Sequence, residues 1–218
     1  KYICGQGTAL GGLIIEAKGL NTKLIGNPRY PHFNEPDESY HGLVYAQLPF
    51  PIFSLRIRLS LIRDIGATIS PYNAWLLIQG LETLSLRIKE HSRNAYKVAS
   101  FLKSHPKVKQ VAYPALETDA LHARAKKYFK DAQTSGLLSF EVEGLEFAKH
   151  ILNTTKLFSV VVNIGDSKSI ITHPASTTHQ QLSHEELALA GIKEGVIRLS
   201  IGLENADDLI EDLKVALG

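Results

Sequence analysis

A chain of 218 residues, 44% hydrophobic and 21% charged, has the balance of an ordinary globular protein, long enough for one large domain or parts of two. A formal net charge of +2 gives no compositional support for a nucleic-acid partner, and no apolar run has the length of a membrane span, so neither partner is expected. The single cysteine, Cys4, excludes an internal disulfide and fits a reducing, cytoplasmic setting, while the absence of methionine marks the chain as an expected C-terminal piece of a longer polypeptide.

The chain opens on Lys1-Tyr2-Ile3-Cys4-Gly5-Gln6-Gly7. An uncharged lysine amine condenses with an aldehyde to an imine, and Gly5 and Gly7 allow backbone to run close to a bulky ligand. The plainer alternative is a solvated lysine beside a glycine turn. Gly11 to Lys18 reads as a short buried strand. Residues 19–50 hold many Pro, Asn, Gly and aromatic residues without a period, an irregular stretch that an interface between subunits would explain.

Phe53 to Ile65 is predicted as a helix stopped by Gly66, and Ser70-Pro71 starts another, with Ser as N-cap and Pro at the first helical position. Apolar residues at helical spacing from Ala74 to Leu102 extend it up to Pro106. Such a length suits a connector between two domains, bent near Gly80 or His91. Beyond Lys107 the elements shorten and alternate. Strands are predicted at 108–113, 137–144, 157–162 and 196–201, with helices at 119–129 and 145–152 between them. A capping box, Ser183 to Glu186, opens a short helix, and Asn205 caps a last amphipathic one. Strands alternating with helices give an α/β layer domain.

Two stretches here carry candidate chemistry. Asn163-Ile164-Gly165-Asp166-Ser167-Lys168-Ser169, with His173 to His179 after it, is rich in donors but is equally a loop after a strand. Arg198 stands alone in a strand pattern, so it either pairs with an acid or receives an anionic ligand, and its planar fork suits a carboxylate. The nine histidines show no metal-ligand spacing, so no metal is assigned. Asp207 and Asp208 sit in a first helical turn, where carboxylates favour the dipole.

Together KYICGQGTALGG, SPYNAWLLIQGLETLSLRIKEHSRNA, NIGDSKSIITHPASTTHQQLS and GVIRLSIGLENADDLI resemble, in order and spacing, the C-terminal half of the O-acetylhomoserine sulfhydrylases, in the Cys/Met-metabolism family of pyridoxal 5'-phosphate (PLP) enzymes. FNEPDESYHGLVY and the Asn-Ile-Gly-Asp turn point to the sulfhydrylase branch rather than the lyases. The resemblance implies an α/β fold of the PLP-dependent transferase type I, aspartate aminotransferase-like. Residues 1–90 would finish the large PLP-binding domain and 91–218 would form a small C-terminal α/β domain. Lys1 would be the Schiff-base lysine and proton shuttle. Arg198 would clamp the substrate carboxylate, Asn163 would support that carboxylate, Thr178 would brace the turn, and Ser169 would be a further candidate for the pocket.

The implied reaction is γ-replacement on O-acetyl-L-homoserine by sulfide or a thiol, giving homocysteine or methionine plus acetate. The implied assembly is a cytoplasmic homotetramer. The rest of the family's cofactor-binding residues lie upstream of the lysine, so the N-terminal half of the enzyme is an expected partner and these 218 residues alone are expected to be inactive. A cystathionine γ-synthase or a γ-lyase such as methionine γ-lyase would share Lys1 and Arg198. A remnant assembly domain without catalysis is the reading of another class.

Overall fold

The short apolar strands of the second half close into one five-stranded sheet, in the order β1-β2-β5-β4-β3. The strands are β1 (Gln110–Ala112), β2 (Leu137–Glu141), β3 (Ser159–Val160), β4 (Ile170–Thr172) and β5 (Val196–Ser200). All pairings are antiparallel except β3 with β4. The structure is a computed structural model that describes residues 1–190 and 192–218; Gly191 and the side chains of Ala132, His184 and Ala188 lie outside the described residues, as does any role for His184.

Alternation along the strands separates two faces. Leu138, Phe140, Ile171, Ile197 and Leu199 belong to the apolar core, and the register sets Leu138 and Ile171 opposite Leu199. Three helices complete that core: the far half of α5 (Pro71–Ser104), α7 (Gly144–Thr154) and α9 (Ala206–Leu217). On α5 the buried apolar positions Ala95, Val98, Ala99 and Leu102 keep the 3.6 period, whereas Gly80 is its only buried residue before His91. On the other face of the sheet Ser139 and Thr172 flank Arg198 in register. This polar face carries the candidate chemistry.

Helix ends follow the predicted caps. Ser70 Oγ accepts from Asn73 N–H at 3.1 Å at the start of α5. Ser183 and Glu186 exchange side-chain-to-backbone bonds of 2.8 and 3.3 Å at the start of α8 (His184–Leu189), and Asn205 Oδ1 accepts from Asp207 N–H at 2.9 Å on α9. The helix between β1 and β2, α6 (His122–Tyr128), is shorter than the pattern suggested. The expected bend in α5 is not needed for continuity: it runs as one 34-residue α-helix through Gly80 and His91.

Packing divides the chain into two compact units, Lys1–Ala9 with Leu76–Gly218, and Leu10–Trp75. The second unit surrounds a small core of Leu24, Phe33, Tyr45 and Ile52. It is built from α1 (Asn21–Leu24), α2 (Pro31–Asn34), two 3₁₀ turns, α3 (Ile52–Arg56), a π-helical stretch Ile57–Ile62 and α4 (Arg63–Ile65). Asn34 donates to the carbonyls of Leu24 and Tyr30 at 3.0 and 2.9 Å, and Tyr45 Oη donates to Asp37 at 3.0 Å. The irregular 19–50 stretch is therefore ordered by its own core and side-chain-to-backbone bonds. Gly66, at φ +73°, ends the helix as predicted.

One strand prediction fails and another is shortened. Gly11 to Lys18 forms no ladder, and its Leu13, Ile14 and Ile15 are exposed; a continuous apolar run needs neighbours on both faces, and none pairs with it among the described residues. The 157–162 strand shrinks to Ser159–Val160, with Val161 and Val162 exposed. Conversely β4 escapes sequence reading. It is three residues long, too short for a period, and follows a polar turn, yet all three residues are buried.

Tyr113 is fully buried, with its hydroxyl 2.9 Å from Ser135 O and 3.2 Å from Ser92 O. Burial pushes its pKa up to about 12. An unfolded tyrosine ionises near pH 10, so between roughly pH 10 and 12 the unfolded state loses its proton first and stability falls as pH rises. The expected loss across that window is on the order of 2 kcal/mol. Denaturant titrations at several alkaline pH values check it, and Tyr113→Phe should remove that limb.

Candidate functional site

The site begins with a turn. Gly5 N–H donates to Lys1 O at 2.9 Å, and Gly5 and Gly7 take φ of +78° and +64°, values open to glycine at little cost. Gly5 O then accepts from Ser167 N–H at 2.8 Å, which ties the opening segment to the 163–169 turn. The Tyr2 ring lies against Gly165, where an added Cβ would stand 2.8 Å from the ring, and meets His91 edge-on at 5.3 Å. Tyr2 Oη accepts from Gly136 N–H at 3.2 Å, and burial raises its pKa. His91 is itself fully buried, with Nδ1 2.7 Å from Ile201 O, and burial lowers its pKa.

From this seat the Lys1 side chain reaches out, exposed, and Nζ donates to Asn163 Oδ1 at 2.8 Å. The backbone oxygen of Asn163 in turn accepts from Arg198 Nη2 at 3.3 Å. Asn163 thus joins an amine and a guanidinium that lie far apart in sequence. Gly165 N–H donates to Ser200 Oγ at 2.9 Å, and Thr172 Oγ1 donates to Val161 O at 2.8 Å, so the approach to the turn and its middle are fixed to the polar face of the sheet. Arg198 is half-buried, and no ion pair engages it among the described residues.

The other predicted residues lie elsewhere. Ser169 is fully buried; its Oγ donates to Glu204 at 2.9 Å and accepts from Gly202 N–H at 2.8 Å. It fastens the far end of the turn to the segment after β5. Thr178 is exposed and bonds within its own turn, to His179 Nδ1 at 2.8 Å and Pro174 O at 3.4 Å. His173 is buried between Ser176 and the Glu194 carbonyl, a structural placement. Cys4 is free and buried, and its bond to the Thr8 hydroxyl holds the thiol pKa down. Among the described residues no three His, Cys, Asp or Glu gather as a metal site, and no helix is long and apolar enough to cross a membrane.

Sequence reasoning missed Arg87. Its Nη1 donates to Tyr2 O at 2.7 Å, and Nη2 donates to Ile3 O at 3.1 Å and Gly80 O at 2.7 Å. On a long helix among Glu, Lys and Ser an arginine reads as a solvated face. The available signal was Gly80, two turns away on the same face, since a mid-helix glycine often marks close backbone approach. An added Cβ at Gly80 would stand 2.1 Å from Ile3 O.

Comparison with known proteins identifies relatives over the whole chain. The model of the Cys/Met metabolism PLP-dependent enzyme family matches residues 1–218. The chain is 47% identical to an O-acetyl-L-homoserine sulfhydrylase of Leptospira meyeri, over 100% of this chain and 51% of that one. It is 42% identical to one from Corynebacterium glutamicum, over 98% of this chain and 49% of the other. A solved Campylobacter jejuni structure, described as a candidate O-acetylhomoserine (thiol)-lyase, superposes with a TM-score of 0.94 at 59% identity, over 100% of this chain and 52% of that one. That protein carries N'-pyridoxyl-lysine-5'-monophosphate at its position 205. The chain spans about half the length of these relatives.

The contact of Tyr2 with Gly165 has a measurable weight. Gly165 and Gly144 share positive φ, +72° and +69°, but Gly144 faces open space. Gly144→Ala should lose about 1 kcal/mol from backbone strain alone, and Gly165→Ala at least ~1 kcal/mol more from displacement of the ring. Equal losses in thermal unfolding would show that the ring contact contributes nothing.

Proposed function

Because the chain belongs to the Cys/Met metabolism PLP-dependent enzyme family, we propose that it carries the reactive lysine and the carboxylate clamp of an O-acetylhomoserine sulfhydrylase. The proposed reaction is γ-replacement on O-acetyl-L-homoserine by sulfide or a thiol, giving homocysteine or methionine plus acetate. The observation that carries this reading is the joining of Lys1 Nζ and Arg198 through the single residue Asn163. The fold supports it: a mixed α/β chain of the PLP-dependent transferase type I, with a five-stranded sheet.

The residues fit the cofactor. Lys1 Nζ is exposed and held only by a neutral amide oxygen, so its amine is open to a cofactor aldehyde. Bound pyridoxal phosphate supplies an electron sink for charge that develops at substrate carbon. Lys1 Nζ would hold it covalently, then take the proton from substrate Cα and move protons at Cβ while acetate leaves Cγ. Arg198 would take the α-carboxylate on its free donors, with Asn163 fixing its orientation. We place Ser169 and Thr178 behind these groups, Ser169 as an anchor of the turn and Thr178 as a brace of the next one.

The same reading divides the chain into residues 1–90, finishing the large PLP-binding domain, and 91–218, the small domain. Its support is that the residues α5 gives to the sheet's apolar core, Ala95, Val98, Ala99 and Leu102, all lie beyond residue 90. The reading also carries an N-terminal half of the enzyme as partner, a homotetramer and a cytoplasmic location. Exposed Leu13, Ile14, Trp75 and Ile78 support burial against further chain, and free Cys4 supports a reducing compartment.

In the complete enzyme, O-acetylhomoserine and sulfide should yield homocysteine and acetate in equal amounts; ammonia and a keto acid instead would assign a γ-lyase and overturn the proposal. Lys1→Ala should abolish turnover. Arg198→Ala should raise KM for the amino acid by roughly 10- to 100-fold, the weight of a charged hydrogen bond, with a smaller fall in kcat.

A further inference from the structure

We infer that Arg87 is a positioning residue for Lys1, acting through the backbone of Tyr2 and Ile3; this rests on the reading of Lys1 as the cofactor-bearing lysine. All three guanidinium nitrogens are engaged: Nη1 on Tyr2 O, Nη2 on Ile3 O and Gly80 O, and Nε on Thr83 Oγ1 at 3.2 Å. Arg87 is half-buried, and no carboxylate pairs with it among the described ion pairs. A guanidinium withdrawn from water onto backbone carbonyls gains little attraction between full charges to offset its desolvation. Its contribution is geometric: a rigid fork holds two consecutive carbonyls of the opening turn to one face of α5.

The surroundings are cut to that fork. A Cβ at Gly5 would stand 2.3 Å from Arg87 Nη1, and one at Gly80 would stand 2.1 Å from Ile3 O. The two glycines thus leave room for the arginine on one side and for the carbonyls on the other. The Lys1 side chain itself is exposed, with one hydrogen bond at Nζ. A long flexible stem directs its amine only if its Cα is fixed. Arg87 fixes it from the α5 side, opposite the 163–169 turn that holds Gly5 O. A displacement of about 1 Å at a reacting group is worth on the order of 100-fold in rate.

The experiment uses the complete enzyme loaded with pyridoxal phosphate, as wild type, R87A and R87K. Two quantities are read: total cofactor per subunit after denaturation, and the share trapped on Lys1 as a pyridoxyl adduct by a short borohydride pulse, mapped by peptide mass. In R87A the trapped share per bound cofactor should fall about tenfold. R87K keeps the charge without the fork and should fall in between, and added methylguanidinium should restore part of the R87A loss. A trapped share equal to wild type, with only the unfolding temperature lowered, would make Arg87 a purely structural residue and overturn the inference. If R87A does not fold, R87K decides on the same readout. Wild type that holds cofactor without any adduct on Lys1 would overturn the reading of Lys1, and the inference with it.

Discussion

The site depends on holding a nine-residue opening segment against a sheet domain that begins far downstream. Two sets of bonds do this from opposite sides. The turn after β3 takes Gly5 O with Ser167 N–H, and α5 takes the carbonyls of Tyr2 and Ile3 with Arg87. Tyr2 fills the space between, its ring on Gly165 and His91. The hydrogen bonds among these contacts all end on main chain of the opening segment, so they fix where that segment runs and leave the Lys1 amine to Asn163.

The sheet contributes through its two-residue period. Ile197 and Leu199 are committed to the core, which forces Arg198 between them onto the opposite face. Ser200 and Thr172 then occupy the turn's own polar groups, Gly165 N–H and Val161 O. Arg198 is left with a single backbone bond and spare donors. Strand register, set by burial of greasy neighbours, is thus what brings a guanidinium to Asn163, the residue that holds Lys1 Nζ.

The caps, the long helix and the places of four of the five strands were legible in the sequence, and the proposed site residues Lys1, Asn163 and Arg198 stood out in it. Lone charges and turn residues in apolar surroundings are informative because burial makes them costly. Arg87 was not legible, since its partners are carbonyls, which every residue has and no sequence displays. β4 was hidden by its length, and the 11–18 run was misread because strand propensity is satisfied only by a neighbour that the described residues do not supply. Ser169 was found for its polarity, but its partner Glu204 lies 35 residues on, a separation that no local pattern encodes.

The chain's path has a consequence for the order of folding. Residues 1–9 share a compact unit with 76–218, while Leu10–Trp75 packs as another. The bond between Lys1 and Asn163 spans 162 residues, and the contacts of Arg87 with Tyr2 and Ile3 span 85 and 84. Contacts of such separation carry a large loop-closure entropy and are rewarded only once their partners are in place. The turn that receives Lys1 is itself held by β4 and β5, so the sheet must pair before the lysine has a seat. The Lys1 amine therefore acquires its neighbours late, and a chain whose sheet has not closed displays an unheld lysine.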